Sequence, residues 1–276
     1  MLKSSKNIYP KGFFIKTYFQ HTTFMLLFIF IGCREVPIDE NNNTQNTSSI
    51  KINTQEVQEE QVNKPISLTK TEIKAYKIQF INEDSCNQII DNEFIIICYD
   101  YKIKGAKSVA YTLEGDLVNQ TNIDQRPSFY VEKSIDKKYR ITNTDYIYSG
   151  YDRGHLAPDA GFDWSEESLK AVYTFANIIP QAPQTNQTMW FKVEKYARDK
   201  AVELGEVDVI NIVKYNPKRS RRMGKNKMAI SKGYYKVLYN ANEEYEECFY
   251  YDNKLGVSSL DDTPTKHLVE CDSVSY

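Results

Sequence analysis

Hydrophobic and polar positions change period several times along the chain, and each change marks an element. Phe94 to Ile103 is dense in Ile, Phe and Tyr, and Val109, Tyr111 and Leu113 then alternate with smaller or polar residues. That is the period of strands with one buried face. Gly105 and Gly115 fall where turns are expected. Val207 to Val213, Tyr234 to Tyr239 and Cys248 to Tyr251 read as three further strands. Between the two groups the step lengthens. Trp190, Val193, Ala197, Ala201 and Leu204 recur three and four residues apart, the core stripe of a helix that starts near Asn186 and stops at Gly205. An earlier helix is expected after Ser165, an N-cap residue followed by Glu166 and Glu167, where the helix dipole favours acidic side chains.

The first 66 residues are patterned differently. Lys3, Lys6, Lys11 and Lys16 precede an unbroken apolar run from Phe24 to Ile31. It falls well short of the ~20 residues that span a bilayer, so residues 1–33 read as an export leader. The run ends at Gly32-Cys33, which resembles a bacterial lipobox with Phe30 where leucine is usual. On that reading Cys33 is acylated, and the protein is a membrane-anchored lipoprotein of the cell envelope; a secreted or periplasmic protein is the alternative. Residues 34–66, with Asn41 to Ser49 almost entirely Asn, Gln, Thr and Ser, cannot bury enough apolar surface to order themselves and read as a polar linker. Residues 67–276 are left as the folded domain.

At 276 residues, 41% hydrophobic, the chain can bury a sizeable core. A net charge of −2 carries no global sign of a nucleic-acid partner, so any such sign is local. Lys214 to Lys227 contains no acidic residue, and its Lys218, Arg219, Arg221 and Arg222 suit sequence-independent phosphate contacts. Beyond Cys33 there are four cysteines, Cys86, Cys98, Cys248 and Cys271, none in a CxxC pair. An even number in an exported chain argues for disulfides, and the pairs close in sequence, Cys86–Cys98 and Cys248–Cys271, are the expected connectivity of the three available.

The chemistry concentrates in Asp152-Arg153-Gly154-His155. A titratable base beside an arginine suits attack on an anionic substrate, a phosphodiester above all. His21 falls in the leader, and His267 in a polar tail near the end. On the helix, Asn186, Glu194 and Arg198 are spaced by eight and four and share a face beside the core stripe. Arg126, judged alone, is a solvated loop charge.

Asp152 to His155, then Asn177-Ile178-Ile179-Pro180-Gln181, then Asn186-Gln187-Thr188-Met189-Trp190 with Glu194 following, resemble the DNA/RNA non-specific endonuclease family of the ββα-metal, or His-Me finger, superfamily. The likeness runs roughly from Phe94 to Tyr251. It implies an α+β fold, a central antiparallel sheet flanked by helices with a ββα-metal active site. It also implies a metal-dependent endonuclease acting on DNA and RNA, with His155 as general base. Asn186 is then the protein ligand of Mg²⁺, with Mn²⁺ as an alternative. Arg153, Arg126 and Arg198 face the phosphate, and Glu194 orders water around the ion. Asp152, Asn177 and Gln181 join the substrate-binding set, the latter two chiefly holding the site together. The sequence departs from the family where Ile212 replaces a usual glycine. Two other readings stand beside this one: a catalytically inactive nucleic-acid-binding lipoprotein, and a phosphodiesterase acting on small nucleotides.

Overall fold

The computed structural model describes residues 79–276 apart from 121, 217 and 258. The leader, Cys33 and the polar linker lie outside the described residues. Seven strands form one antiparallel sheet in the order β1 (Gln88–Asp91), β2 (Ile96–Asp100), β3 (Gly105–Glu114), β6 (Glu206–Lys214), β9 (Gly233–Asn240), β10 (Tyr245–Asp252) and β11 (Leu268–Val269). Two short antiparallel pairs stand apart from it: β4 (Asp152–His155) with β5 (Ile178–Gln181), and β7 (Arg222–Met223) with β8 (Met228–Ala229). Gly105 begins β3 rather than sitting in a turn.

Alternation sorts the large sheet into two faces. Val109, Tyr111 and Leu113 of β3, Val207, Val209 and Val213 of β6, and Tyr234 and Leu238 of β9 join one core. Ala110, Ile210, Ile212 and Val237 point the other way into a second. The first face packs against the helix α2 (Phe191–Leu204), whose Val193, Ala197 and Ala201 are buried below Trp190. A fully buried side chain of the size of Val193 contributes about 2 kcal/mol. The helix ends at Gly205, whose φ of +83° is the left-handed conformation that a helix C-terminus favours in glycine. The shorter α1 (Glu166–Val172) is capped by the Ser165 hydroxyl, which accepts from the Ser168 amide.

Phe80 and Val274 and both disulfides close the second face. Cys86–Cys98 and Cys248–Cys271 are formed, with Cα atoms 5.1 and 5.3 Å apart. Each contributes about 3 kcal/mol in the chain-entropy picture of loops this long. Ser108 donates to the Phe80 carbonyl at 2.7 Å and meets the Tyr276 hydroxyl at 3.0 Å. The two ends of the described chain are thereby drawn together on this face.

Candidate active site

The site is built on the β4–β5 pair and the turn that leads into α2. In that pair Asp152 stands opposite Gln181 and His155 opposite Ile178. Gly154 has a steric reason: a Cβ there would lie 2.0 Å from the Gln181 side chain. After β5, Asn253 clamps the exit, its amide nitrogen donating to the Pro180 carbonyl and its oxygen accepting from the Ala182 amide, each at 2.8 Å. Thr185 to Trp190 then form a π-helical turn, so α2 proper begins five residues after Asn186. Single π turns at helices are frequent at functional sites.

Asn186 and Asp152 meet across this junction. The Asn186 Nδ2 donates to Asp152 Oδ2 at 3.0 Å, and Gln187 Nε2 donates to the same oxygen at 2.8 Å. Among the described residues nothing donates to Asn186 Oδ1. An amide whose nitrogen is held by a carboxylate presents its oxygen outward, the donor that a hard divalent cation takes. The residues present therefore fit the ion implied by the resemblance. The Asp152 carboxylate thus holds the side-chain amides of both Asn186 and Gln187 at the edge of the cleft.

The half-buried His155 ring packs between Phe129, 5.4 Å away, and Tyr173, 4.9 Å away. Its Nε2 is covered and unpartnered, which leaves Nδ1 as the nitrogen open to solvent. Burial pushes the imidazole down to about 4; Asp159 opposes the shift, and Arg126 and Arg153 add to it. The imidazole is thus neutral near pH 7. The Arg153 guanidinium is exposed, 5.1 Å from the Phe129 ring, and donates to Asn143. Arg126 pairs with Asp159 at 3.2 Å and Asp163 at 2.9 Å, while the Tyr173 hydroxyl donates to Asp159. A cleft of about 430 Å³ lined by Phe129, Asn143, Tyr146, Asp152, Arg153 and Asn186 opens on the Arg153 side.

Glu194 and Arg198 are half-buried on α2. Burial raises the Glu194 carboxyl to about 7 against the opposing charges of Lys236 and Arg198; Asp159 adds to the rise. Asn177 and Gln181 are fully buried. Asn177 bonds both the amide and the carbonyl of Ala157 and the carbonyl of Val172, so it anchors the chain just beyond His155.

The basic stretch is part strand: β7 and β8 form a hairpin that begins at the exposed Arg222, and Lys218, Arg219 and Arg221 are exposed in the loop leading into it. It docks on the buried Asp145, which accepts from the amide and side chain of Asn226 at 2.7 and 2.8 Å. Asn143, the partner of Arg153, lies two residues earlier. Arg222 differs from its neighbours because it donates to the carbonyls of Lys102 and Lys227 and braces the hairpin. His267 is not in a loose tail. It is stacked 3.8 Å from the Tyr251 ring and paired with Asp262 at 2.5 Å.

Two inward residues escaped the sequence reading, Asn211 and Lys236, and they gather with Tyr111, which alternation already places on the buried face of its strand. All are buried, and Asn211 donates to the carbonyl of Leu156, the residue after His155, at 2.7 Å. The signal was a lysine in the buried register of β9, between Tyr234 and Leu238.

A family model described as DNA/RNA non-specific endonuclease matches residues 74–266. The chain is 30% identical to the human mitochondrial endonuclease G over 160 residues, 55% of this chain and 54% of that protein. It is also 30% identical to a nuclease of Nostoc sp. over 112 residues, 40% of each. It thus spans about half the length or less of these curated relatives. A chain from the crystal structure of the EndoG/EndoGI complex superposes with a TM-score of 0.62, covering 67% of this chain and 81% of that one. At 23% identity, this is a likeness of fold.

Proposed function

The chain belongs to the DNA/RNA non-specific endonuclease family, and from that premise we propose that it is a metal-dependent endonuclease that hydrolyses phosphodiester bonds of DNA and RNA without sequence preference. The observation that carries this reading is the pairing of Asp152 with Asn186 beside a neutral His155. The β4–β5 pair and α2 serve as the ββα unit of the site. His155 accepts the proton of the attacking water at Nδ1. Burial holds the imidazole low in the first place, and an entering phosphodiester anion offsets the smaller contribution of the two arginines, which makes it a stronger base. Arg153 binds the phosphate from the cleft side. Arg126 and Arg198 add positive charge, and Glu194 orders water around the ion. Asn186 Oδ1 holds the divalent cation, Mg²⁺ in the first instance. When bound, the cation supplies charge stabilisation at the transition state and at the leaving oxygen. The exposed cations of the loop leading into the β7–β8 hairpin contact backbone phosphates, which suits a polymer better than a small nucleotide.

The leader and Gly32-Cys33 support export, with an acylated Cys33 anchoring the domain in the cell envelope. Radiolabelled lipid on the wild type but not on Cys33→Ser tests that part. The test of function is plasmid DNA and single-stranded RNA cleavage across a magnesium titration. Cleavage abolished by chelator, a fall of at least ~10²-fold in turnover for His155→Ala, and a weakened magnesium response for Asn186→Ala are expected. Cleavage that survives chelation, or near-normal turnover of His155→Ala, would overturn the reading.

A further inference from the structure

Lys236 stands on the inward face of β9 with no exposed surface. Among the described residues, no carboxylate lies within ion-pair distance of its ammonium. Its Nζ donates to Asn211 Oδ1 at 2.8 Å and to the Tyr111 hydroxyl at 3.4 Å, and stands 4.3 Å from the centre of the Trp190 ring. Asn211 Nδ2 donates onward to the Leu156 carbonyl at 2.7 Å and to the Tyr111 hydroxyl at 3.3 Å. Leu156 follows His155 directly, and Trp190 lies four residues from both Asn186 and Glu194. One ammonium therefore touches the support of the base on one side and the support of the metal-binding turn on the other.

A buried cation without a paired anion is costly, and an apolar side chain of similar volume is often neutral or better for stability. Leu238 and Tyr234 show what the same register otherwise carries. The lysine is thus poorly explained as core packing. We propose that Lys236 is a positioning residue for the hydrolysis reaction. Through Asn211 it fixes the Leu156 carbonyl and so the His155 ring, and through Trp190 it fixes the turn that carries Asn186, holding base and metal ligand at one separation. This rests on the nuclease reading above. Its charge also faces Glu194, as do those of Arg198 on the same helix and Asp159 beyond β4, so the lysine supports the anionic form of that carboxylate as well.

The experiment is steady-state cleavage of double-stranded DNA by Lys236→Met, with thermal unfolding measured on the same preparation. A displacement of the reacting groups by a fraction of an ångström lowers kcat by about 10–100-fold while KM stays within about twofold, because the substrate-facing cations are untouched. The unfolding midpoint is expected to stay close to that of the wild type. Should Lys236→Met fail to fold, Lys236→Gln, which keeps a donor in the core, takes its place with the same expectation for kcat. A folded variant with kcat within twofold of wild type overturns the proposal, as does loss of fold in both variants, which would make the lysine purely structural. Wild-type protein that does not cleave at all would instead refute the nuclease reading itself.

Discussion

Asp152 holds the amide nitrogen of Asn186 at 3.0 Å, and so the first residue of the Asp-Arg-Gly-His run governs a side chain thirty-four positions away. Replacing Asp152 with Asn keeps the volume but removes the carboxylate that fixes which end of the Asn186 amide faces the cleft. The expected result is a loss of roughly 10–100-fold in apparent magnesium affinity, the usual size for a partner one shell out from a metal. Isothermal titration with Mg²⁺ or Mn²⁺, read beside activity, checks it. Unchanged affinity would return Asp152 to the substrate side of the site.

The pH dependence of stability follows from His155. Its imidazole titrates at about 4 in the fold and near the ordinary ~6.5 when unfolded. Between those values only the unfolded chain takes the proton, so stability falls as pH is lowered from ~6.5 towards 4, by up to ~3 kcal/mol. Glu194, raised to about 7, acts with the opposite sign, favouring the fold at low pH and losing that contribution as pH rises. Comparing wild type with His155→Gln cancels the Glu194 part. The variant should lose less in unfolding midpoint between pH 7 and 4.5, and parallel profiles would refute the assignment.

Gly154→Ala should destabilise by about 1–3 kcal/mol, because the new methyl meets a fully buried Gln181 with no room to retreat. Gly105→Ala is the control. A Cβ there finds only the Tyr215 hydroxyl at 3.5 Å, an ordinary contact, and the change should be close to neutral. Denaturant unfolding of the two variants side by side decides the matter. Equal midpoints would mean that the β4–β5 pair yields more readily than its packing suggests.

Neutralising Lys218, Arg219 and Arg221 together should weaken binding to every DNA sequence alike. The slope of log affinity against log salt should flatten by about 0.9 per lost phosphate contact, up to ~3 for all three. Arg222→Gln should behave differently, loosening the hairpin because its guanidinium is bonded to the Lys102 and Lys227 carbonyls. Fluorescence anisotropy with a catalytically silenced His155→Ala background supplies the measurement. An unchanged slope would leave these cations a role in solubility alone.

Much of the framework is legible in local pattern. Alternation marks the long strands β3, β6, β9 and β10, and the step of three and four marks α2, because each depends only on which face a residue presents to the core. The disulfide pairing follows from proximity along the chain. What stays hidden depends on contacts between distant segments. Lys236 looks like a surface lysine until Asn211, twenty-five residues before it, is placed beside it by the β6–β9 register. Asp152 reads as part of a phosphate-binding run until the β4–β5 pair and the π turn bring Asn186 to it. The buried setting of His267 depends in the same way on Tyr251 and Asp262, which no periodicity brings together.

Phe80 and Tyr276 share a corner of the sheet face away from α2, their rings 5.6 Å apart. Both ends of the described residues therefore lie on the sheet face away from α2. Tyr276 thus offers a handle for attaching the protein to a bead or a sensor surface by the sheet face that does not carry α2.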